Sequence, residues 1–268
     1  MSEPLRLMAV LAHPDDETLG FGGSLARYSA EGVETHVLTA TRGQRGRFGD
    51  GTTHPGPDAL GLIREAELRA AARELGAHDV RFLDYMDGDV DKVDPRDAVA
   101  NIAAHLRRVR PQVVVTFAPD GAYGHPDHVA ICQFATAAIV AAAMPGPDGA
   151  AAHAVSKLYY MVSNTKSWET YQGVFKRLVS KVDGVEREGV PWPDWEITTV
   201  VDTSNQWPRV WRAVQCHQSQ IAIYARLGEL TDEQQVTLWG TQRFYRALSL
   251  VNGGRAKESD LFEGVRAK

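Results

Sequence analysis

The chain has 268 residues, a net charge of −5 and 44% hydrophobic residues. That is enough for one sizeable core in an ordinary soluble globular protein, and the acidic balance excludes nucleic acid as a partner. The two cysteines, Cys132 and Cys216, lie far apart with no C-x-x-C pattern. This excludes a disulfide scaffold and a zinc–thiolate site and points to a reducing compartment.

Met1 to Arg6 carries charge, and the apolar run after it stops at His13, a pattern of neither a signal peptide nor a membrane anchor. No apolar stretch approaches the ~20 residues that span a bilayer. A cytoplasmic protein with no membrane partner is expected, and a homo-oligomer is compatible with the chain.

In chain order, Leu7–Ala12 and Val33–Ala40 are apolar, β-branched runs of the kind buried on both faces of a parallel sheet. The spacing of Leu60, Ile63, Leu68, Ala71, Ala72 and Leu75 predicts a helix over Asp58–Leu75, with Gly76 past its end as C-cap. A strand at Val80–Leu83, a helix at Asp97–Val109, a strand at Val113–Phe117 and a buried helix at Ala130–Ala143 follow. Met144–Ala150 reads as a linker; Leu158–Val162 and Ile197–Val201 read as strands. A long helix is expected from about Asn205 to Arg226, with Trp207, Val210, Trp211, Val214, Ile221 and Tyr224 as a core stripe. The alternation implies an α/β fold: a doubly wound, mostly parallel sheet with helices on both faces, plus a C-terminal α+β extension. The chain is expected to form one domain over 1–268, with a core at 1–143 and a part at 151–268 completing a substrate crevice.

Arg42–Pro57 holds five glycines, two prolines and three arginines, more than a packing turn requires. Its length suggests a mobile lid, and Arg42, Arg45 and Arg47 either clamp an anion or keep the loop soluble.

The first strand ends in Ala12-His13-Pro14-Asp15-Asp16-Glu17. A nucleotide-binding turn would carry glycines here; Gly20, Gly22 and Gly23 follow too late, inside the expected helix, and do not fit G-x-G-x-x-G. Aspartates at a helix N-terminus would repel a pyrophosphate, so the turn suits a cation. One aspartate is adequate as a cap. A histidine with three carboxylates exceeds a cap, and imidazole beside carboxylate suits a first-row divalent metal.

The strand Val113–Phe117 ends similarly, in Ala118-Pro119-Asp120-Gly121-Ala122-Tyr123-Gly124-His125-Pro126-Asp127-His128. A helix N-terminus capped by Asp127 with two surface histidines is the plain alternative. Position argues against it. In a doubly wound sheet the first and fourth strands are neighbours and ligands bind beyond their carboxyl ends. His13, Asp15, Asp16, His125, Asp127 and His128 should therefore share one crevice.

The pair AHPDDE and GHPDH resembles the LmbE-like, or PIG-L, family of zinc deacetylases, which act on N-acetylglucosamine conjugates. The resemblance extends through Arg64–Ala77, Asp87 in YMDGD, and HQSQ at 217–220. It implies a Rossmann-like fold and one Zn2+ per chain, with Fe2+ also suited to these donors. His13, Asp16 and His128 would be the ligands, a choice that spacing alone does not make. Asp15 would be the general base, His125 and Tyr123 the groups beside the oxyanion, and Asp127 the carboxylate orienting His125. Arg64 and Asp87 match positions that touch sugar hydroxyls. His217 and Gln218, polar on an expected apolar face, suggest an inward pair near the substrate. His36, His54, His78, His105 and His153 are left as structural or surface residues.

The expected activity is thus metal-dependent removal of an N-acetyl or N-acyl group from a small amino-sugar conjugate. A metallophosphoesterase using the arginine loop is the competing enzyme, and it would need further ligands to hold a second ion ~3.5–4 Å away. A non-catalytic sugar-binding module would have no need of Asp15.

Overall fold

The structure, a computed structural model, describes residues 4–51, 53–147, 149–175 and 179–266, with the side chains at 174, 175 and 223 outside that description. Its strands are β1 (Arg6–Leu11), β2 (Glu34–Thr41), β3 (Asp79–Tyr85), β4 (Val113–Phe117), β5 (Lys157–Val162), β6 (Val179–Val182), β7 (Val185–Glu188), β8 (Thr199–Asp202) and β9 (Thr241–Ser249). Between them run α1 (Asp16–Leu19), α2 (Gly22–Ala30), α3 (Pro57–Leu75), α4 (Pro95–Val109), α5 (Gly121–Gly124), α6 (Pro126–Ala142), α7 (Thr165–Phe175), α8 (Trp207–Gln215), α9 (Ile221–Tyr224) and α10 (Asp232–Trp239).

The main sheet has the order β3-β2-β1-β4-β5-β9-β8. Its first five strands are parallel, and β9 joins β5 and β8 by antiparallel pairing. A doubly wound sheet with an α+β extension is therefore present. The strand order reverses between β1 and β4, whose residues are almost all buried. These runs are apolar throughout because both faces are covered. The helix α3 stops where expected: Gly76 takes φ +77° and its N–H closes onto Ala72 and Arg73.

The expected helix over Asn205–Arg226 is broken. It holds from Trp207 to Gln215; a turn at Cys216–Gln220 then leads into the short α9. The physical cause is a set of tertiary partners for that segment's polar groups. His217 bonds Glu17, Ser219 donates to both oxygens of Glu67, and Gln220 donates to the Arg47 carbonyl. These bonds replace the helical ladder. Gly20, expected inside a helix, instead joins α1 to α2. The β6–β7 hairpin and β9 were not foreseen: β7 is fully exposed, and β9 mixes Gln242 and Phe244 inside with arginines.

A buried carboxylate fixes the C-terminal part. Glu258, 3% exposed, accepts from Lys157, Tyr159 and Asn252. Among the described residues no helix is long and apolar enough to cross a membrane.

Candidate metal centre

Leaving β1, the chain turns sharply at Asp15, which has φ 113°. A left-handed conformation costs a non-glycine residue about 1–3 kcal/mol and persists only where neighbours enforce it. Here they do. The Asp15 N–H donates to Glu17 Oε2 at 2.8 Å, and Glu17 Oε1 lies 2.7 Å from His217 Nε2. Asp15 Oδ2 accepts from Arg64 Nη2 at 2.9 Å and from Tyr224 OH at 2.5 Å. Arg64, 4% exposed, also donates to the carbonyls of Pro14 and Gly43. A Cβ at Gly43 would lie 2.2 Å from the guanidinium, so the loop approaches Arg64 as only glycine allows.

The turn aims Asp16 inward. Its Oδ2 accepts from the backbone N–H groups of Ala12 at 3.1 Å and His13 at 2.8 Å. Neither aspartate caps α1 with its side chain. Across the switch point, α6 starts at Pro126 with His125 as N-cap, and His128 stacks on Phe117 with ring centroids 3.9 Å apart. His128 Nε2 then sits 3.2 Å from His13 Nδ1 and 3.6 Å from Asp16 Oδ1, with His13 Nδ1 3.9 Å from Asp16 Oδ2.

Three buried side chains thus bring atoms that could ligate a metal within reach of one another. A tetrahedral ion with bonds of about 2.0–2.1 Å needs neighbouring ligands roughly 3.3 Å apart, so these separations fit with small adjustments. The tautomers fit as well. His13 Nε2 faces Asp127 Oδ2 at 2.9 Å and Asp87 Oδ1 at 3.2 Å, which places the proton on Nε2 and leaves Nδ1 its lone pair.

Charge points the same way. Burial pushes the Asp16 carboxyl up to about 7, against the pull of His13. Burial alone would lower His13, but its hydrogen bonds to Asp127 and Asp87 raise it to about 10. Crowded carboxylates take up positive charge by any available route, and a divalent cation among them replaces the proton.

His13, Asp15, Asp16, Arg64, Asp87, Tyr123, His125 and His128 all line one crevice of ≈ 670 Å³, as the two motifs led us to expect. His125 Nδ1 accepts from the Asp127 N–H at 3.2 Å, so the neutral ring carries its proton on Nε2. Burial, with His13 nearby, lowers His125 to about 4. Burial and the charges of Asp16 and Asp15 keep the Tyr123 phenol protonated.

Two expectations need correction. Asp127 does not orient His125 with its carboxylate: that group bonds His13 and the N–H groups of Gly88 and Val90, because α6 buries it completely behind His13. His217 is not a crevice residue. It is fully buried against Glu17, and its neighbour Gln218 points to the exposed side. Arg42 and Arg45 are also spoken for, by Glu65 and Asp84 and by Asp89, while Arg47 lines the crevice. The loop is tied down through Gly49, whose N–H bonds the Ser219 carbonyl; Thr52 lies outside the described residues, as does Asp148 of the expected linker.

Sequence reasoning missed Glu17, Gln220, Tyr224 and Arg243. Glu17 was visible as the third carboxylate of the first motif, and Tyr224 was hidden in an apparent apolar stripe.

A doubly wound α/β sheet with two histidines and an aspartate gathered at its switch point defines a class of candidate metal-binding α/β proteins. The chain belongs within it to the PIG-L, or LmbE-like, family: the family described as "GlcNAc-PI de-N-acetylase" matches residues 8–139. A 1D-myo-inositol 2-acetamido-2-deoxy-alpha-D-glucopyranoside deacetylase from Kineococcus radiotolerans is 35% identical over 99% of this chain and 84% of its own. Among solved structures, a 4-carboxy-2-hydroxymuconate hydratase from Pseudomonas putida matches with TM-score 0.69 at 20% identity, over 94% of this chain and 100% of its own. An N,N'-diacetylchitobiose deacetylase from Pyrococcus horikoshii matches with TM-score 0.64 at 18% identity, over 90% and 83%. A hydratase and a deacetylase on one fold mean that the activity must be argued from the site.

Proposed function

We propose that this protein hydrolyses the N-acetyl amide of an N-acetylglucosamine conjugate, using one divalent ion, zinc or ferrous iron, held by His13, Asp16 and His128. The observation that carries this reading is the convergence of three buried ligand atoms beside a carboxylate, Asp15, that belongs to the same turn but does not join them. The named substrate of the Kineococcus relative supports the sugar and makes a cyclitol conjugate the first to test.

Bound there, the ion would polarise the amide carbonyl and acidify a water. Asp15 would serve as the base that accepts a proton from the attacking water. Its Oδ2 is occupied by Arg64 and Tyr224, which leaves Oδ1 for that role. The same carboxyl then delivers the proton to the leaving amine. His125, a neutral donor through Nε2, and Tyr123, a buried protonated phenol, hold the negative charge that develops on the carbonyl oxygen. Asp127 and Asp87 keep the His13 ring in the ligating tautomer. Arg64 thereby acts first on Asp15, and its expected contact with sugar hydroxyls becomes secondary.

The phosphoesterase reading is weaker. A second ion needs its own donors, whereas among the described residues the other potential cluster, His13 with His125 and Asp127, shares His13 with the first. Acetate release from a panel of N-acetylglucosaminyl conjugates, with metal analysis of the same sample, tests the proposal. One ion per chain and acetate release are expected. Two ions per chain, or phosphate release without acetate, would overturn it.

A further inference from the structure

The crevice carries cationic side chains that amide hydrolysis does not use: Arg47, Lys181 and Arg243. Arg243 is the informative one. It stands on β9 in register with Val162 of β5 and Val200 of β8, in the wall formed by the C-terminal half of the chain. Its guanidinium is partly buried. Nη1 donates to Ser167 Oγ at 2.8 Å and to the Thr241 carbonyl at 3.3 Å. Among the described residues Nε and Nη2 have no acceptor, and no carboxylate forms an ion pair with Arg243. Asp194, the acid whose field reaches it, is bonded to Asn164. Burial lowers the proton affinity of Arg243, as expected of a cation that has lost water without gaining an anion.

The other arginines of this crevice differ. Arg45 is paired with Asp89 and Arg64 with Asp15. A guanidinium that has lost part of its water and faces no carboxylate is a ready site for a ligand that supplies the missing charge. Its planar fork of donors matches a carboxylate or phosphate. Lys181, from the β6–β7 hairpin, and Arg47, from the loop after β2, enter the same crevice exposed and without ion pairs among the described residues. They add positive potential that draws an anion inward.

We infer that the substrate carries an anionic group, a carboxylate or a phosphate, on the part attached to the sugar, and that Arg243, with Ser167 beside it, selects that group. The placement rests on the deacetylase reading, which puts the acetamido end of the sugar at the His13–Asp16–His128 cluster and directs the aglycone to the β9 wall.

The test is equilibrium binding of three matched glucosaminides, methyl, carboxymethyl and phosphoethyl, to the full-length metal-loaded protein. It is read by calorimetry or by the fluorescence of Trp168, which lines the crevice. At least one anionic glucosaminide should bind tenfold or more tightly than the methyl compound, and the gap should shrink with added salt. Which anion binds better identifies the group. Arg243→Gln should abolish the gap while leaving the methyl compound within about twofold, and Arg243→Lys should retain part of it. Equal binding of all three by the wild type would overturn the inference, and that result needs no variant. A gap that survives in Arg243→Gln, or an equal loss for charged and neutral compounds, would overturn it as well. Acetate release from the N-acetylated forms is scored separately. A charge preference without acetate sinks the deacetylase reading; acetate without a charge preference sinks this one.

Discussion

Asp15 and Asp16 are neighbours with different surroundings, so replacing each by asparagine should separate two functions. In Asp15→Asn the amide oxygen can take the place of Oδ2 and still accept from Arg64 and Tyr224, and the backbone bonds of the turn involve no side-chain oxygen of Asp15. The ligand atoms of His13, Asp16 and His128 are untouched. What disappears is basicity. Loss of a general base costs about 10²–10⁴ in rate. At about 1.36 kcal/mol per tenfold this raises the barrier by roughly 2.7–5.4 kcal/mol. Arg64 keeps an acceptor but loses its counter-charge, so some stability is lost too, on the order of 1 kcal/mol, the difference between a hydrogen bond to a charged and to a neutral group. Asp16→Asn differs: the neutral amide can still accept from one of the N–H groups of Ala12 and His13, but the one anionic member of the proposed ligand set is gone. The assay is metal content by mass spectrometry, kcat from acetate release, and Tm, on both variants in parallel. Asp15→Asn should keep its ion and lose kcat; Asp16→Asn should lose both together. Equal metal loss in the two variants, or a kcat for Asp15→Asn within threefold of wild type, would refute the division of roles.

Two further outcomes follow from contacts outside the ligand cluster. Tyr224→Phe removes one of the two donors to Asp15 Oδ2 and should lower kcat about tenfold at unchanged metal content and nearly unchanged KM; a kcat equal to wild type would show that Arg64 alone positions the carboxylate. Glu258→Gln leaves the fully buried Lys157 without its counter-charge and should cost about 3–5 kcal/mol of stability in urea unfolding. Burial would raise the Glu258 carboxyl, but bonds from Lys157, Tyr159, Asn252 and Thr199 lower it to about 2. Because the folded value lies below the unfolded one, its contribution is complete above about pH 4.5 and is lost as pH falls towards 2. Stability of the variant should change less across that window than stability of the wild type, and parallel curves would contradict this.

The chain shows by itself where the sheet reverses. The apolar runs that became β1 and β4 each break into histidine, proline and aspartate, and this pattern is local: hydrophobic runs terminate where polar groups must reach water or a ligand. The same locality made α3, with its glycine stop, legible from spacing. Donor types were legible too, because imidazole and carboxylate at two strand ends suit a divalent ion wherever the side chains point.

Which donor faces which partner was a different matter. Asp127 and His13 are 114 positions apart, and Asp15 and Tyr224 are 209 apart. Nothing within one turn of either residue records those meetings. The segment 216–224 has helical spacing, yet its polar groups found Glu17, Glu67 and the Arg47 carbonyl, and long-range hydrogen bonds outweighed local propensity. The insertion of β9 between β5 and β8 was likewise hidden, since antiparallel pairing at a sheet's edge needs only alternation, which arginines obscure. Sequence determined the elements that are stable on their own pattern and the chemistry available at their ends. Tertiary structure decided which carboxylate turns towards the two histidines, which one is held by Arg64 and Tyr224 and which arginine has no carboxylate beside it among the described residues, because burial and charge pairing become defined only when distant segments close around the same crevice.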